Sequence, residues 1–81
     1  MKQYFDRNNT RLMLGDPVKF YDKYTQRIKI GKILDFRNGG KSFDDSAYVG
    51  SLKNYEFGIY KPTKTLTKIS DEEMMLIILE N

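Results

Sequence analysis

Eighty-one residues, 40% of them hydrophobic, are expected to make one small domain with a single modest core and no room for a second. Without cysteine or histidine the chain lacks a disulfide framework and the usual thiolate and imidazole metal ligands, which fits a reducing, cytoplasmic interior. The net charge of +3 is unevenly spread: residues 17–41 hold seven Lys or Arg against two Asp, whereas residues 69–81 hold four acids and no base.

That asymmetry admits two readings. One is a basic surface for nucleic acid or an acidic partner; the other is complementarity within the molecule, between a basic hairpin and an acidic carboxyl-terminal turn. No apolar signal core follows Met1, and the longest apolar run, Met74 to Leu79, is far too short to cross a bilayer, so no membrane span is expected.

In chain order, Lys2 to Thr10 carries Tyr4 and Phe5 and then the turn-prone pair Asn8-Asn9, and is expected either to fray or to form a short flanking strand. Arg11 to Leu14 reads as a strand lead-in with Leu12 and Leu14 on one face. Gly15-Asp16-Pro17 suits a turn, and a strand is expected from Val18. Leu14 to Phe36 as a whole reads as one long β-hairpin. Val18 and Phe20 alternate with Lys19, Tyr21 and Lys23, a corner at Tyr24-Thr25-Gln26 turns the chain, and Ile28 and Ile30 return on the apolar face with Arg27 and Lys29 on the basic one. The β-branched and aromatic content argues against a helix here. Gly31 interrupts the returning strand and predicts a bulge or bend that brings Ile33 or Leu34, with Phe36, back to the interior.

A leucine before G-D-x-V (Leu14, Gly15, Asp16, Val18), followed about fifteen residues later by G-x-I (Gly31, Ile33), is similar to the opening hairpin of many Src-homology-3-like small barrels. The resemblance covers about a quarter of the chain, implies a fold only, and carries no function with it.

Arg37-Asn38-Gly39-Gly40-Lys41-Ser42 is expected to be a loop. Its Gly40-Lys41-Ser42 matches the tail of a phosphate-binding P-loop, but that motif needs a glycine five positions before Gly40 and a helix directly after it. Position 35 is Asp35, and Phe43-Asp44-Asp45-Ser46 starts no amphipathic helix. Asp44-Asp45 is the next candidate for chemistry, since paired carboxylates hold hard cations or divide acid and base roles. Adjacent residues on an extended chain point apart, so a solvated turn is expected. No histidine base and no supported Ser, Thr or Lys nucleophile is visible; the chain is not read as an enzyme, and no cofactor or metal is assigned.

Ala47 to Gly50 and Tyr55 to Tyr60 read as two short strands around a polar Ser51 to Asn54 connection, with Tyr55, Phe57 and Ile59 sharing an apolar face. Most of the tyrosines suit structural roles; Tyr21, between Lys19 and Lys23, is the best exposed candidate for stacking on a base. Lys61 to Lys68 is basic and threonine-rich, with Pro62 halting a central strand. Ser70-Asp71-Glu72-Glu73 is a capping-box pattern. The preferred continuation is one helical turn into a closing strand, Met75 to Leu79, with a short terminal helix as the alternative; in either form the segment needs burial in the fold or in a homo-oligomer.

The expected fold is mainly β: a small, strongly bent antiparallel sheet or SH3-like barrel of about five strands, with a short helical turn near the carboxyl terminus. The expected function is non-enzymatic binding. Lys19, Tyr21, Lys23, Arg27 and Lys29, extended by Lys32, Arg37 and Lys41, would form a basic, aromatic hairpin face that meets nucleic acid through phosphates, with little sequence preference. The alternative is an interaction or inhibitor module, of the kind a bacterial or phage accessory protein uses, docking an acidic protein surface. Against both stands the ordinary use of outward lysines to keep sheet edges from aggregating.

Overall fold

Alternating apolar and polar residues build the sheet, and the computed structural model describes it over residues 2–51 and 58–80. The strands are β1 (Tyr4–Phe5), β2 (Arg11–Leu12), β3 (Pro17–Asp22), β4 (Arg27–Arg37), β5 (Ser46–Ser51), β6 (Gly58–Pro62) and β7 (Thr67–Lys68), with a 3₁₀ turn at Thr63–Thr65 and a terminal helix, α1 (Asp71–Glu80). β1 and β2 form a two-stranded ribbon; the other five make an antiparallel sheet in the order β6-β5-β4-β3-β7. The expected mainly β architecture is therefore present, as an open sheet rather than a barrel: β6 and β7 occupy opposite edges and do not pair. Expected strand residues Tyr55 to Phe57 lie outside the described residues.

The hairpin departs from expectation at its turn. β3 and β4 close on the pair Asp22↔Arg27, so the connection is the four residues 23–26, with Gln26 in the left-handed region at φ 55. A three-residue corner would have paired Lys23 with Arg27; one residue more shifts the register by one and exchanges the faces of the returning strand. Val18 now lies opposite Gly31 and Phe20 opposite Lys29, while Lys19 faces Ile30 and Tyr21 faces Ile28. Ile28 and Ile30 thus share a face with Lys19 and Tyr21, and Arg27 and Lys29 leave it.

Alternation is restored farther along β4 than Gly31. Ile33 pairs with Val49 and Asp35 with Tyr48, which leaves Leu34 as the extra residue of a bulge. The bulge lets both Ile33 and Phe36 face inward with Ala47 and Val49. Gly31 serves a different need: it is buried, and a Cβ there would run into the Gly50 carbonyl and lie 2.6 Å from Val49 Cγ1.

The core gathers on one face of the sheet, from Leu12, Val18, Phe20, Ile33, Ala47, Val49 and Leu66, with Tyr4 and Phe36 packed against it. Tyr4 and Phe36 stack nearly parallel, their ring centroids 4.3 Å apart. The amino-terminal segment is a flanking ribbon rather than a frayed end, because Asp6 organises it. This buried carboxylate accepts from the backbone N–H groups of Asn8 and Thr10 through Oδ1 and of Lys68 through Oδ2, at 2.8–2.9 Å. One side chain thereby closes the β1–β2 turn and fastens it to β7.

Met74 to Leu79 is helical throughout, and the expected closing strand is supplied instead by the two residues of β7, which pair with Val18 and Lys19. The cap decides this. Ser70 Oγ accepts from the Glu73 N–H at 3.1 Å, three acids occupy the first turn, and Met, Leu and Glu propagate a helix once it is started.

Candidate functional site

Charge on the hairpin is first of all balanced within the chain. Lys19 Nζ lies 2.7 Å from Glu73 Oε1 on α1, and Lys29 Nζ lies 2.7 Å from Asp22 Oδ2. The first pair is the complementarity between basic hairpin and acidic terminus that the charge distribution allows. Around Asp22, the Lys29 ammonium, the Thr25 hydroxyl and the Tyr24 N–H together hold the carboxyl down at about 2, against an ordinary 3.8. Asp45 is lowered in the same direction, chiefly by Lys2 and then by the Gly39 N–H.

Both carboxyls favour the charged form in the folded state. Their contribution is complete above the ordinary carboxylate value and disappears as pH falls toward the folded one, a window from about 4 to about 2 for Asp22. Asp22→Asn is therefore expected to flatten the fall of the unfolding midpoint across that window in thermal melts. A variant that loses stability there as steeply as the wild type would remove Asp22 from the acid response.

The loop at residues 38–45 uses its polar groups internally. Gly39 N–H donates to Asp45 at 3.0 Å, and Lys2 Nζ bridges Asn38 Oδ1 and Asp45 Oδ1 at 2.6 and 2.8 Å. Asp44 turns the other way, to Lys64 Nζ at 2.8 Å. The adjacent carboxylates therefore point apart, each engaged by a different lysine. Among the described residues no cluster of three or more His, Cys, Asp or Glu is arranged to hold a metal ion, and no helix is long and apolar enough to cross a membrane.

The eight residues singled out in the sequence do not form one face. Lys19, Tyr21 and Lys23 come together. Lys32 is exposed farther along the Lys19 side of the sheet, and Arg37, on that side too, lies with its guanidinium carbon 4.0 Å from the Tyr60 ring centroid. Arg27 and Lys29 belong to the opposite face, at the tip of the hairpin. Lys41 sits in the loop beyond the other end of β4, on the order of 30 Å from Lys23 for a strand of eleven residues.

Where Lys19, Tyr21 and Lys23 meet, an open groove of about 480 Å³ runs beside β3. β7 pairs with β3 only at Val18 and Lys19, so from Phe20 onward that edge has no strand beside it among the described residues. The chain fills the space incompletely with the 3₁₀ turn and its approaches. Among the described residues five cations line the groove, Arg7, Lys19, Lys23, Lys61 and Lys64, and no acid does. Phe20, Tyr21, Ile28 and Pro62 supply its apolar surface. Tyr21 is 54% exposed, and Lys61 Nζ stands 5.1 Å from the centroid of the Phe20 ring.

No protein-family model, curated protein or solved structure matches the chain.

Sequence reasoning reached three of the groove's lining residues and missed Arg7, Lys61 and Lys64. The acid-free run from Gly58 to Lys68, with three lysines, is the signal that pointed to two of them. Arg7 carried none. Its place is fixed by a backbone hydrogen bond from its N–H to the Leu66 carbonyl at 3.0 Å, a contact between chain segments far apart in sequence.

Proposed function

We propose that the chain is a non-enzymatic binding module that takes nucleic acid in the groove beside β3. The observation that carries this reading is a lining that has, among the described residues, five cations and no acid around a half-exposed tyrosine. Arg7, Lys23 and Lys61 have no carboxylate partner among the described residues, so their charge is available to phosphates, while Tyr21 offers a ring face to an unpaired base. Lys19 and Lys64 are held by Glu73 and Asp44 and contribute less.

Single strands are favoured over duplex, because stacking needs a base out of its pair. Affinity is expected to fall log-linearly with salt, with a slope near the number of phosphates engaged. Fluorescence anisotropy with short single-stranded and duplex oligonucleotides at two salt concentrations tests this. Arg7→Glu with Lys23→Glu, both at exposed positions, is expected to weaken binding by at least about tenfold while leaving the fold intact. Absence of wild-type binding at low salt would sink the reading.

A second reading draws on the open edge of β3 from Phe20 to Asp22. An extended acidic peptide adding there would form main-chain ladder bonds and place its carboxylates against the same lysines. Binding of an acidic peptide together with no binding of either oligonucleotide at low salt separates this reading from the first.

A further inference from the structure

Helix α1 leaves an apolar surface uncovered. None of its residues is buried; Glu73, Met74, Ile77 and Ile78 form the half-buried side, and Met75, Leu76 and Leu79 stand 56%, 59% and 78% exposed. A ten-residue helix of about 15 Å is marginal in water without packing on its apolar surface. Its ionisable side chains are Asp71, Glu72, Glu73 and Glu80, all acidic.

The complementary surface is on the same molecule. The groove beside β3 joins apolar lining from Tyr21, Ile28 and Pro62 to cations at Arg7, Lys23 and Lys61, with no acid among the described residues. The Lys19–Glu73 pair already sets the first turn of α1 at the rim of that groove. In a symmetric dimer with its two-fold axis near that pair, each copy's helix would have to reach the other's groove. Pairing helix against helix in antiparallel fashion would instead set Asp71 and Glu72 against the partner's Glu80, acid upon acid.

We propose that α1 is a homotypic docking element, seating Met75, Leu76 and Leu79 in the basic groove of a second copy, in a reciprocal dimer. Exchange of this kind is closed, since both helices and both grooves are used. A docked helix would fill the groove proposed above for nucleic acid, so the two occupants exclude each other.

Sedimentation velocity over protein concentrations from about 1 µM to about 1 mM tests it, at low and high salt. The wild type is expected to dimerise with rising concentration, less readily at high salt. Leu76→Gln with Leu79→Gln, and separately Arg7→Glu with Lys23→Glu, are each expected to raise the concentration needed by tenfold or more, with circular dichroism showing both variants folded. An equimolar mixture of the two variants regains one intact seat and dimerises more readily than either variant alone. Three results would overturn the proposal: a wild type monomeric throughout, a dimer lost only in the helix variant, which would mean helix against helix, or a dimer insensitive to both pairs of substitutions.

Discussion

Asp6→Ala is expected to lower the stability of the chain by about 3 kcal/mol. The carboxylate serves three backbone donors, Asn8, Thr10 and Lys68. Asn8 and Thr10 are exposed, so water replaces the lost acceptor at modest cost. Lys68 is partly buried, and its N–H meets Asp6 across the junction of ribbon and sheet, where solvent is a poorer substitute. Charge-assisted bonds also exceed neutral ones in strength, which puts the total above that of an ordinary turn. Asp6→Asn should fall between wild type and alanine: its carbonyl keeps the turn, but its amide nitrogen cannot accept from Lys68. Urea unfolding of the three proteins measures the series. An alanine variant within about 1 kcal/mol of wild type would mean that the ribbon is held by Leu12 and the Tyr4–Phe36 stack instead.

Gly31→Ala is expected to destabilise by about 2–3 kcal/mol although it adds a single methyl group. The new Cβ would meet the Gly50 carbonyl, a backbone atom fixed by the ladder, and Val49 Cγ1 at 2.6 Å, a buried side chain with no free direction. Gly50→Ala provides the contrast. Its Cβ would meet only Leu34, whose half-exposed side chain has room to turn outward. A smaller loss is therefore expected at Gly50 than at Gly31. Equal losses in parallel denaturant titrations would show that the backbone clash at Gly31 is relieved by sheet movement.

Period-two alternation made strands β3 to β5 legible, because burying one face imposes it directly on the residues. The turn between β3 and β4 was not legible to the last residue. Tyr24-Thr25-Gln26 reads naturally as the corner, yet Lys23 belongs to it as well, and that one residue decides which side of the sheet receives Arg27, Ile28, Lys29 and Ile30. The terminal helix was half legible: the capping box announced it, whereas a run of apolar residues from Met74 to Leu79 shows no period that separates helix from strand. Asp6 left no mark, since a buried carboxylate that bonds backbone two, four and sixty-two residues away has no local pattern. The groove was legible in part, through Lys19, Tyr21 and Lys23; its other cations arrive from the β1–β2 turn and from the segment around the 3₁₀ turn, which only tertiary contacts place beside β3.

The bond between Lys68 and Asp6 also sets an order of events. Strands β3 to β6 each pair with the strand next along the chain, so these pairings are local and expected to form at little entropic cost. The Asp6–Lys68 contact spans 62 residues, so closing it costs more chain entropy than closing any of those loops. Fastening the ribbon is accordingly expected late, and interactions made after the rate-limiting barrier act on how fast a protein comes apart rather than how fast it forms. Asp6 is therefore expected to act as a latch, with Asp6→Ala speeding unfolding in denaturant-jump kinetics far more than it slows folding.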